Sequence, residues 1–563
     1  MLGIVASPAE LPAGGVAWGH GGWVPPAERE ALDWLTLGRL LGWSAAAGAR
    51  PAALALGRRA LVVTCDPESL GPDDVARLET RLREECLLVI VRGASSRHPL
   101  AALAGARRGT GPDVGRRLAW EGPGGTARFR PAAGIPVQSV DPSPGTEVWA
   151  TVDGRPALAV RPVGRGAVAT LAFHASAARD AAGAATAILR RLLVEGPGAP
   201  TAWLDLERTL VLRMDDPGSA QKVHCSTWCY APLGEQQWAE IATDLRRRRA
   251  RLSIGYTAGW VDDGDPARGR LVVGGEKPPR RPGAVHPSPR VRYVDLAGHA
   301  PGRVSDYEAE FRGIQMIRRA GLGEVELHGH THLHPDPASW AAAADRHSER
   351  GWYRELGRRA QPVIDARPSG QDPVALGVAA LQRWFGVRPT TLIPPGDEFS
   401  DATVRRALEL GFSLFSSYYL ALRDGNRFCW CQHVCSPYLN EPDSSWFEAG
   451  LPVVGYFHDN EPSTHGVGWL TRCLDDWQAA GAERFLDLRE LAAALNRRVD
   501  IDDDGATVTV DEPDTLPLVR PLRVALRVPA GVPSIVTVRR GRAEHRLEPF
   551  RGLGGYSVID IPP

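Results

Sequence analysis

Short apolar runs rich in β-branched residues alternate with amphipathic stretches along most of this 563-residue chain. In the first third, residues 60–65 (ALVVTC) and 87–91 (LLVIV) are predicted to be buried strands, and residues 71–85 between them a helix. Residues 163–173 are predicted to turn into another buried strand, which an Ala-rich helix follows. Alternation of strand and helix is typical of layered α/β domains, and we therefore predict an α/β chain.

The chain is too long for one compact core, and three blocks can be separated. Residues 1–200 form a first α/β block, which ends in the Gly/Pro-rich run EGPGAP. Residues 204–498 form a second, longer α/β block. In residues 499–563, short alternating runs are separated by Pro and Gly, which predicts a small β domain, sandwich-like and packed on the second block.

The charge balance limits the classes of partner. Lys plus Arg and Asp plus Glu number 66 each, so the chain is formally neutral. A neutral chain has no overall field that gathers nucleic acid or anionic membrane, and we expect neither as a partner. No stretch approaches the ~20 apolar residues that a membrane-spanning helix needs. The first residues lack the basic flank and apolar core of a signal peptide, so the expectation is a cytoplasmic protein.

Two adjacent carboxylates follow a strand-like run in the second block. Residues 209–214 (TLVLRM) are predicted to be a buried strand, and Asp215 and Asp216 come directly after it. The carboxyl end of such a strand is where α/β barrels place their chemistry. Adjacent carboxylates repel each other, and a divalent cation is the usual reason for keeping them together. For this pair alone, a helix cap or a turn is an equal alternative.

Four histidines alternate over the seven residues 328–334 (HGHTHLH), directly after the strand-like residues 325–327. Such a run is unusual for core side chains, because each neutral ring needs partners for two nitrogens. A spacing of four places His330 and His334 on one side of a helical turn, where they can bind one ion. Imidazole with carboxylate suits zinc and its neighbours. A surface His-rich tract and an HxH pair are the alternatives.

Asp215-Asp216, followed at a distance by the motif HTxxHP that begins at His330, resembles the first two motifs of the polysaccharide deacetylases. The resemblance covers about residues 204–496 and implies an incomplete (β/α) barrel. It implies that Asp215 is the general base and that Asp216, His330 and His334 bind one divalent metal, zinc first, with nickel, cobalt and iron left open. It also implies that a metal-activated water attacks an acetamide carbonyl.

Later motifs match the family less fully. The run IPPG at residues 393–396 stands where the family usually has an Arg before Pro and Gly, and that Arg is absent. The orientation of Asp215 is therefore open: either Asp397 or Glu398 substitutes, or the substrate differs. The strand-like residues 453–457 end in His458, which resembles the final motif and implies a general acid for the leaving amine. An ordinary histidine at a strand end is the alternative.

Further candidates for substrate contacts surround these motifs. The stretch between Gly259 and Gly302 looks inserted, and on a barrel such an insertion lies at the rim of the active site. Its aromatic and acidic residues are candidates for binding a sugar, and a solvated Asp/Gly turn is the alternative. The substrate-binding candidates are Trp260, Asp262, His328, Pro395, Asp397, Glu398 and Asp459.

Five cysteines of the second block form two clusters. Cys225 and Cys229 follow the Asp pair, and Cys429, Cys431 and Cys435 lie in a loop-like region. Their spacings are not those of common zinc modules. We rank buried thiols first, a disulfide at the rim second and a second metal third.

The first block resembles the class I glutamine-amidotransferase-like domains, on the runs LVVTCDPESLGPDDVARLE, LLVIVRGAS and GRGAVATLAFHAS. The resemblance implies a flavodoxin-like α/β domain. A working glutaminase needs a Cys at the sharp turn after its nucleophile strand, and the turn at residues 92–95 (RGAS) has none. Neither Cys65 nor Cys86 fits that position. We therefore predict a non-catalytic accessory domain that serves packing, homo-oligomerisation or ligand recruitment.

Three functions follow, in order. The first is a metal-dependent hydrolase that removes an acyl group, N-acetyl first, from an amino sugar or glycoconjugate. The second is a deacylase of a small soluble metabolite, which the absent signal peptide and the absent Arg favour. The third is a catalytically silent carbohydrate-binding protein, since the first block already resembles an enzyme without its nucleophile.

Overall fold

The structure is a computed structural model. The ranges that it describes are residues 1–6, 26–49, 52–111, 113–129, 134–175, 183–196, 198–336, 353–357, 372–417, 420–425, 427–431, 436–512 and 516–563. Cys435 and the side chains of Cys429 and Cys431 lie outside the described set, and with them the second cysteine cluster.

A nine-stranded mixed sheet occupies the first block. Its first five strands pair in parallel and the remaining pairs are antiparallel. The predicted elements between residues 60 and 92 are confirmed, because strand Ala60–Val63, helix Pro72–Glu84 and strand Leu88–Arg92 follow one another there. The strands lie in the spatial order Ala45–Gly48, Leu2–Val5, Ala60–Val63, Leu88–Arg92, Gly166–Leu171, Arg155–Val163, Glu147–Val152, Leu118–Trp120 and Ala127–Phe129.

A second nine-stranded sheet forms the middle of the chain. It is parallel except for two antiparallel pairings at one edge, and its described strands leave it open rather than closed into a barrel. Strand Thr209–Asp215 is buried along its whole length, as expected for a parallel strand covered on both faces. The strands lie in the order Arg427–Cys431, Leu420–Asp424, Leu414–Ser416, Thr391–Leu392, Gly323–Leu327, Leu252–Tyr256, Thr209–Asp215 and Val453–His458, and Arg484–Leu486 also pairs with Thr209–Asp215. The prediction of an α/β chain is confirmed, with a curled half-barrel sheet.

Helices follow most of these strands, and local signals set where they begin. Asp372 and Asp487 accept hydrogen bonds from backbone amides of the first helical turn, and Pro at the first helical position needs no such partner. The described α-helices of this block are Gln221–His224, Glu235–Arg248, Tyr307–Arg319, Pro373–Phe385, Asp401–Glu409, Asn460–His465, Gly468–Ala479 and Leu488–Leu495.

The stretch predicted to be inserted forms two small sheets after strand Leu252–Tyr256. One pairs Gly259–Val261 with Val285–Pro287, and the other contains Gly269–Val273, Val291–Asp295 and Val304–Asp306. The insertion has its own apolar core, in which Trp260, Tyr293 and Tyr307 pack with Val223 from beside the Asp pair.

The three blocks share one continuous apolar core. Helix Pro26–Leu40 of the first block packs on the edge strand Arg427–Cys431, where the Thr36 hydroxyl donates to the backbone oxygen of Trp430 at 2.7 Å. Such a cover protects unpaired backbone groups of an edge strand. None of the described helices is long and apolar enough to cross a membrane.

The C-terminal block contains two four-stranded sheets. One of them includes strand Thr201–Leu204, which lies between the first and second blocks in the sequence. Thr201–Leu204 pairs antiparallel with Leu522–Arg527, and the ring of Trp203 lies 4.8 Å from that of Tyr556. The sheets are Thr201–Leu204, Leu522–Arg527, Ser557–Ile561 and Phe550–Arg551, and Arg498–Ile501, Thr507–Asp511, Val536–Arg540 and Ala543–Leu547. The predicted domain limits stay predictions, but residues 201–204 pair with the third block.

Candidate metal centre

The carboxyl ends of several parallel strands of the middle sheet meet around a cavity of about 290 Å³. This is the edge of the sheet where α/β barrels carry their chemistry. Three of the lining residues, Asp216, His332 and Asp397, have positive φ angles of 81°, 65° and 55°, which non-glycine residues rarely adopt. Backbone strain of this kind clusters at functional sites. The cavity is lined by Arg213, Asp215, Asp216, Gln221, Trp228, His328, His332, Tyr353, Gly396, Asp397, Tyr438, Tyr456 and His458.

Asp216, His328 and His332 converge on one point. The Asp216 Oδ1 atom lies 3.3 Å from His328 Nε2 and 3.2 Å from His332 Nε2, and all three residues are buried. Among the described residues, this is the group of three whose ligand atoms lie within 4.8 Å of one another. One carboxylate oxygen and two imidazole nitrogens are the donor set of zinc and related ions, so these residues fit a divalent metal.

Hydrogen bonds set the ionisation of Asp216 and the tautomer of His328. Burial works against ionised Asp216, but hydrogen bonds from His328 and His332 outweigh it and hold the pKa of Asp216 well below its usual range. Its second oxygen, Oδ2, accepts a hydrogen bond from Trp228 Nε1 at 2.8 Å. His328 Nδ1 lies 3.1 Å from the backbone oxygen of Ile393, and a carbonyl can only accept. The Nδ1 atom therefore carries a proton, and Nε2, which faces Asp216, is the ring nitrogen that would bind a metal in place of its own proton.

A buried carboxylate shapes the histidine loop. Glu355 is fully buried and accepts hydrogen bonds from the backbone amides of His330 (2.8 Å), Thr331 (2.9 Å) and His332 (3.0 Å), and from the Thr331 hydroxyl (2.8 Å). These bonds hold the loop in an irregular bend, with Gly329 and His332 both at positive φ. The ring of His332 is thereby held beside Asp216.

The structure does not bring the predicted ligands His330 and His334 into this group. Residues 328–334 form bends rather than the helical turn on which that prediction rested, so another pair faces Asp216. His330 turns toward Gly259, where an added Cβ would lie 2.8 Å from its Nε2 atom. His334 is half-buried, and its Nδ1 accepts a hydrogen bond from the backbone amide of Asp336 at 3.1 Å. The two histidines that face Asp216 are again four residues apart, but they are His328 and His332.

Asp215 lies beside the group and is held by an arginine from its own strand. Arg213 Nε and Nη2 lie 2.9 Å and 2.5 Å from the two Asp215 oxygens, and Nη2 lies 3.5 Å from Asp397 Oδ1. Residues two apart in a strand point to the same face, so the pairing follows from the strand itself. Burial, together with the charge of Asp215, raises the pKa of Asp397. The cation that the run IPPG lacks is thus supplied by Arg213, and Asp397 forms an ion pair with that cation rather than replacing it.

His458 ends the neighbouring strand, in register with Asp215. Its Nδ1 lies 2.6 Å from the Tyr438 hydroxyl, which donates to Glu461 Oε1 at 2.7 Å. Burial disfavours the imidazolium, but the hydrogen bond with Glu461 and the charge of Asp216 outweigh it and raise the pKa of His458 to about 9. The ring is therefore able to hold a proton at neutral pH.

The remaining substrate-binding candidates lie mostly away from the cavity. Trp260 and Asp262 are fully buried, the first in the core of the insertion and the second 2.7 Å from Arg280, so neither lies at an open rim. The other placements are as follows: Asp459 is buried against Lys222 and Tyr230, Pro395 is buried against Gly329, Glu398 lies 3.3 Å from Arg354, Asp397 lines the cavity and His328 belongs to the metal group.

Cys225 and Cys229 are both free thiols. Burial raises the pKa of the Cys225 thiol, so it is an inert buried thiol, the option ranked first. Cys229 is half-buried beside Arg303.

Sequence reasoning missed several residues of the site. An arginine within the otherwise apolar run TLVLRM is a signal that points to Arg213, and Glu461 lies only three residues after His458. Glu355, Trp228 and Tyr438 carry no such signal, because they reach the site from separate loops.

No family model and no curated protein matches this chain. The chain is similar to a solved structure from Mycobacterium smegmatis assigned to the polysaccharide deacetylases, at 14% identity and a TM-score of 0.29, over 53% of this chain and 93% of that chain. It is also similar to a CE4 family pseudoenzyme from Bacillus anthracis, at 9% identity and a TM-score of 0.26, over 58% and 73% of the two chains. An exo-β-1,4-mannosidase from Opitutaceae bacterium strain TAV5 has 13% identity and a TM-score of 0.21, over 31% of each chain. At such TM-scores the likeness does not indicate a function.

Proposed function

We propose that this chain is a metal-dependent hydrolase that removes an acyl group, N-acetyl first, from an amino sugar or glycoconjugate. The observation that carries the proposal is the convergence of Asp216, His328 and His332 beside Asp215 and His458 in one cavity. Three protein ligands leave coordination positions open, as catalytic zinc sites do and structural ones do not. A divalent ion held there, zinc first, supplies a Lewis acid and lowers the pKa of a bound water.

The chain's own residues supply the proton transfers. Asp215 accepts a proton from the attacking water, and Arg213 holds both of its oxygens at 2.9 Å and 2.5 Å so that it keeps one orientation. His458 donates a proton to the nitrogen as the C–N bond breaks and its electron pair passes to the leaving amine. The two groups end paired strands, in register, at the same edge of the sheet.

The cavity walls support a carbohydrate substrate. Four aromatic side chains, Trp228, Tyr353, Tyr438 and Tyr456, line it, and aromatic rings pack well against the apolar faces of sugars. Its volume of about 290 Å³ lies at the lower limit of ligand pockets and fits one acylated unit. This size favours, as the second candidate, a deacylase of a small soluble metabolite.

Acyl release by zinc-loaded protein tests the proposal. We expect acetate release from N-acetylated monosaccharides or chitin oligomers, and a comparison of the two separates single-unit from polymer substrates. Asp215→Asn should keep the metal and lose turnover, whereas loss of metal in that variant would make Asp215 a ligand. Stoichiometric zinc without acyl release from any amide or ester would refute the hydrolase, and glycan binding in that protein would support the silent binding protein.

A further inference from the structure

The geometry around His458 sets the position of its protons. The Tyr438 hydroxyl has a single proton, and it donates that proton to Glu461 Oε1 at 2.7 Å. Toward His458 Nδ1, 2.6 Å away, the same oxygen can therefore act only as an acceptor. The Nδ1 atom must carry a proton, and Nε2 is the ring nitrogen left for the cavity.

The backbone holds all three residues of this chain of hydrogen bonds. Glu461 Oε2 accepts the backbone amide of His458 at 2.8 Å, so that one carboxylate binds both the strand end and the tyrosine. Tyr438 pairs with Tyr456 through a parallel bridge, and the two rings lie 4.7 Å apart. The Trp228 ring meets the His458 ring edge-on at 5.0 Å, which limits its rotation.

The surrounding charges favour the protonated ring. The Glu461 Oε1 atom lies 3.5 Å from His458 Nδ1, and both side chains are less than one-fifth exposed. An opposite charge at this distance in a partly buried site favours the charged form of the histidine. The groups that face the ring are Asp215 at the end of the paired strand and Asp216 directly after it, Glu461 from helix Asn460–His465, Tyr438 and Tyr456 from the two segments joined by the parallel bridge, and Trp228 from the loop after the Asp pair.

We propose that Tyr438 and Glu461 are positioning residues that keep a proton on His458 Nδ1 and direct the protonated Nε2 to the leaving nitrogen. This inference rests on the proposed hydrolase. When the C–N bond breaks, its electron pair goes to nitrogen and the Nε2–H proton follows. The ring then returns to its neutral form with the Nδ1 proton still donated to Tyr438. Glu461 takes up no proton in this step, so the pair acts on orientation and charge and takes no part in the bond changes.

Two variants separate charge from orientation. Glu461→Gln keeps a hydrogen-bonding group but removes the charge. Tyr438→Phe keeps the aromatic ring but removes the hydroxyl that links His458 to Glu461. With a pKa near 9, His458 is about nine-tenths protonated at pH 8, but with its ordinary value near 6.5 it is about 3% protonated. We expect Glu461→Gln to lower kcat at pH 8 by up to about 30-fold, to recover at lower pH and to leave KM nearly unchanged. Glu483→Gln, an exposed carboxylate paired with Arg208, is the control and should not move the profile.

A measurement without turnover keeps this inference separate from the hydrolase. Nitrogen NMR of the histidine rings reports the tautomer and the titration of His458 in metal-free and zinc-loaded protein, with His458→Gln for assignment. The expected result in the parent is the Nδ1–H tautomer of the neutral ring, observed above the titration midpoint of His458. In Glu461→Gln the midpoint should be lower than in the parent. An Nε2–H tautomer, or equal midpoints in both proteins, would overturn the inference. The expected NMR result together with no acyl release would refute the hydrolase alone.

Discussion

Replacing His332 by Ala should abolish metal binding that replacing His330 by Ala leaves intact. His332 Nε2 lies 3.2 Å from Asp216 Oδ1 and belongs to the convergent group, whereas the His330 ring lies against Gly259. The two residues are two positions apart in one loop, so they form a matched pair of variants. A helical loop would give the opposite result, because His330 would then pair with His334.

The expected size follows from ligand linkage. At a zinc concentration 100 times the Kd, binding stabilises the folded protein by about 2.7 kcal/mol. This raises Tm by about 4 °C if the middle block unfolds alone and by about 2 °C if the whole chain unfolds together. Loss of an outer partner of a metal ligand costs 10–100-fold in affinity, so loss of a ligand should cost at least about 100-fold. At the same zinc concentration the stabilisation of His332→Ala then falls to about 0.4 kcal/mol or less, a shift in Tm of less than about 1 °C.

Elemental analysis and thermal unfolding with and without zinc measure both quantities. The parent, His330→Ala and His334→Ala should each hold about one equivalent of zinc and show the full shift in Tm. His328→Ala and His332→Ala should hold little and show almost none. If His330→Ala lost the metal and His332→Ala kept it, the assignment of ligands to the convergent group would be refuted.

Three more predictions concern the surroundings of this group. Arg213→Leu leaves Asp215 and Asp397 buried without their cation. The free energy of unfolding should therefore fall by about 3–5 kcal/mol in urea titrations, and kcat should fall as well. Unchanged stability would contradict the buried ion pair. Glu355→Gln replaces one acceptor oxygen with an amide nitrogen, which donates and cannot accept, so zinc affinity in chelator competition should drop by about 10–100-fold, while Glu483→Gln should bind zinc like the parent. Burial works against the imidazolium of His328, but the charges of Asp215 and Asp216 outweigh it and raise the pKa of His328. Because His328 must be neutral to bind metal, zinc affinity should fall by about tenfold per pH unit as the pH falls through that pKa. A flat profile of zinc affinity between pH 8 and 5 would exclude His328 as a ligand.

The strand ends were predictable because their evidence is local. The apolar run before Asp215 and the run before His458 specify buried parallel strands, and in such a sheet their carboxyl ends must meet. The two groups accordingly lie on paired strands in register.

The choice among the four histidines was not predictable from spacing. It depends on Glu355, a residue more than 20 positions further along the chain that gathers three backbone amides of the loop into a bend. The environment of Trp260 depends likewise on the insertion's own core, since the same Trp in an open turn would be exposed. Both outcomes are set by tertiary contacts, which local periodicity does not contain.

The pairing of strand Thr201–Leu204 with Leu522–Arg527 affects the order in which the chain is built on the ribosome. Residues 201–204 emerge more than 300 residues before their partner, which at ~5–20 residues per second is a delay of about 15–60 s. During that interval Trp203 lacks Tyr556, its partner in the finished core. Residues 522–527 therefore complete the packing of a segment that left the ribosome more than 300 residues earlier. A chain that ended just before residue 522 would keep every residue of the metal group. It would still expose the unpaired apolar strand Thr201–Leu204 to proteases and chaperones.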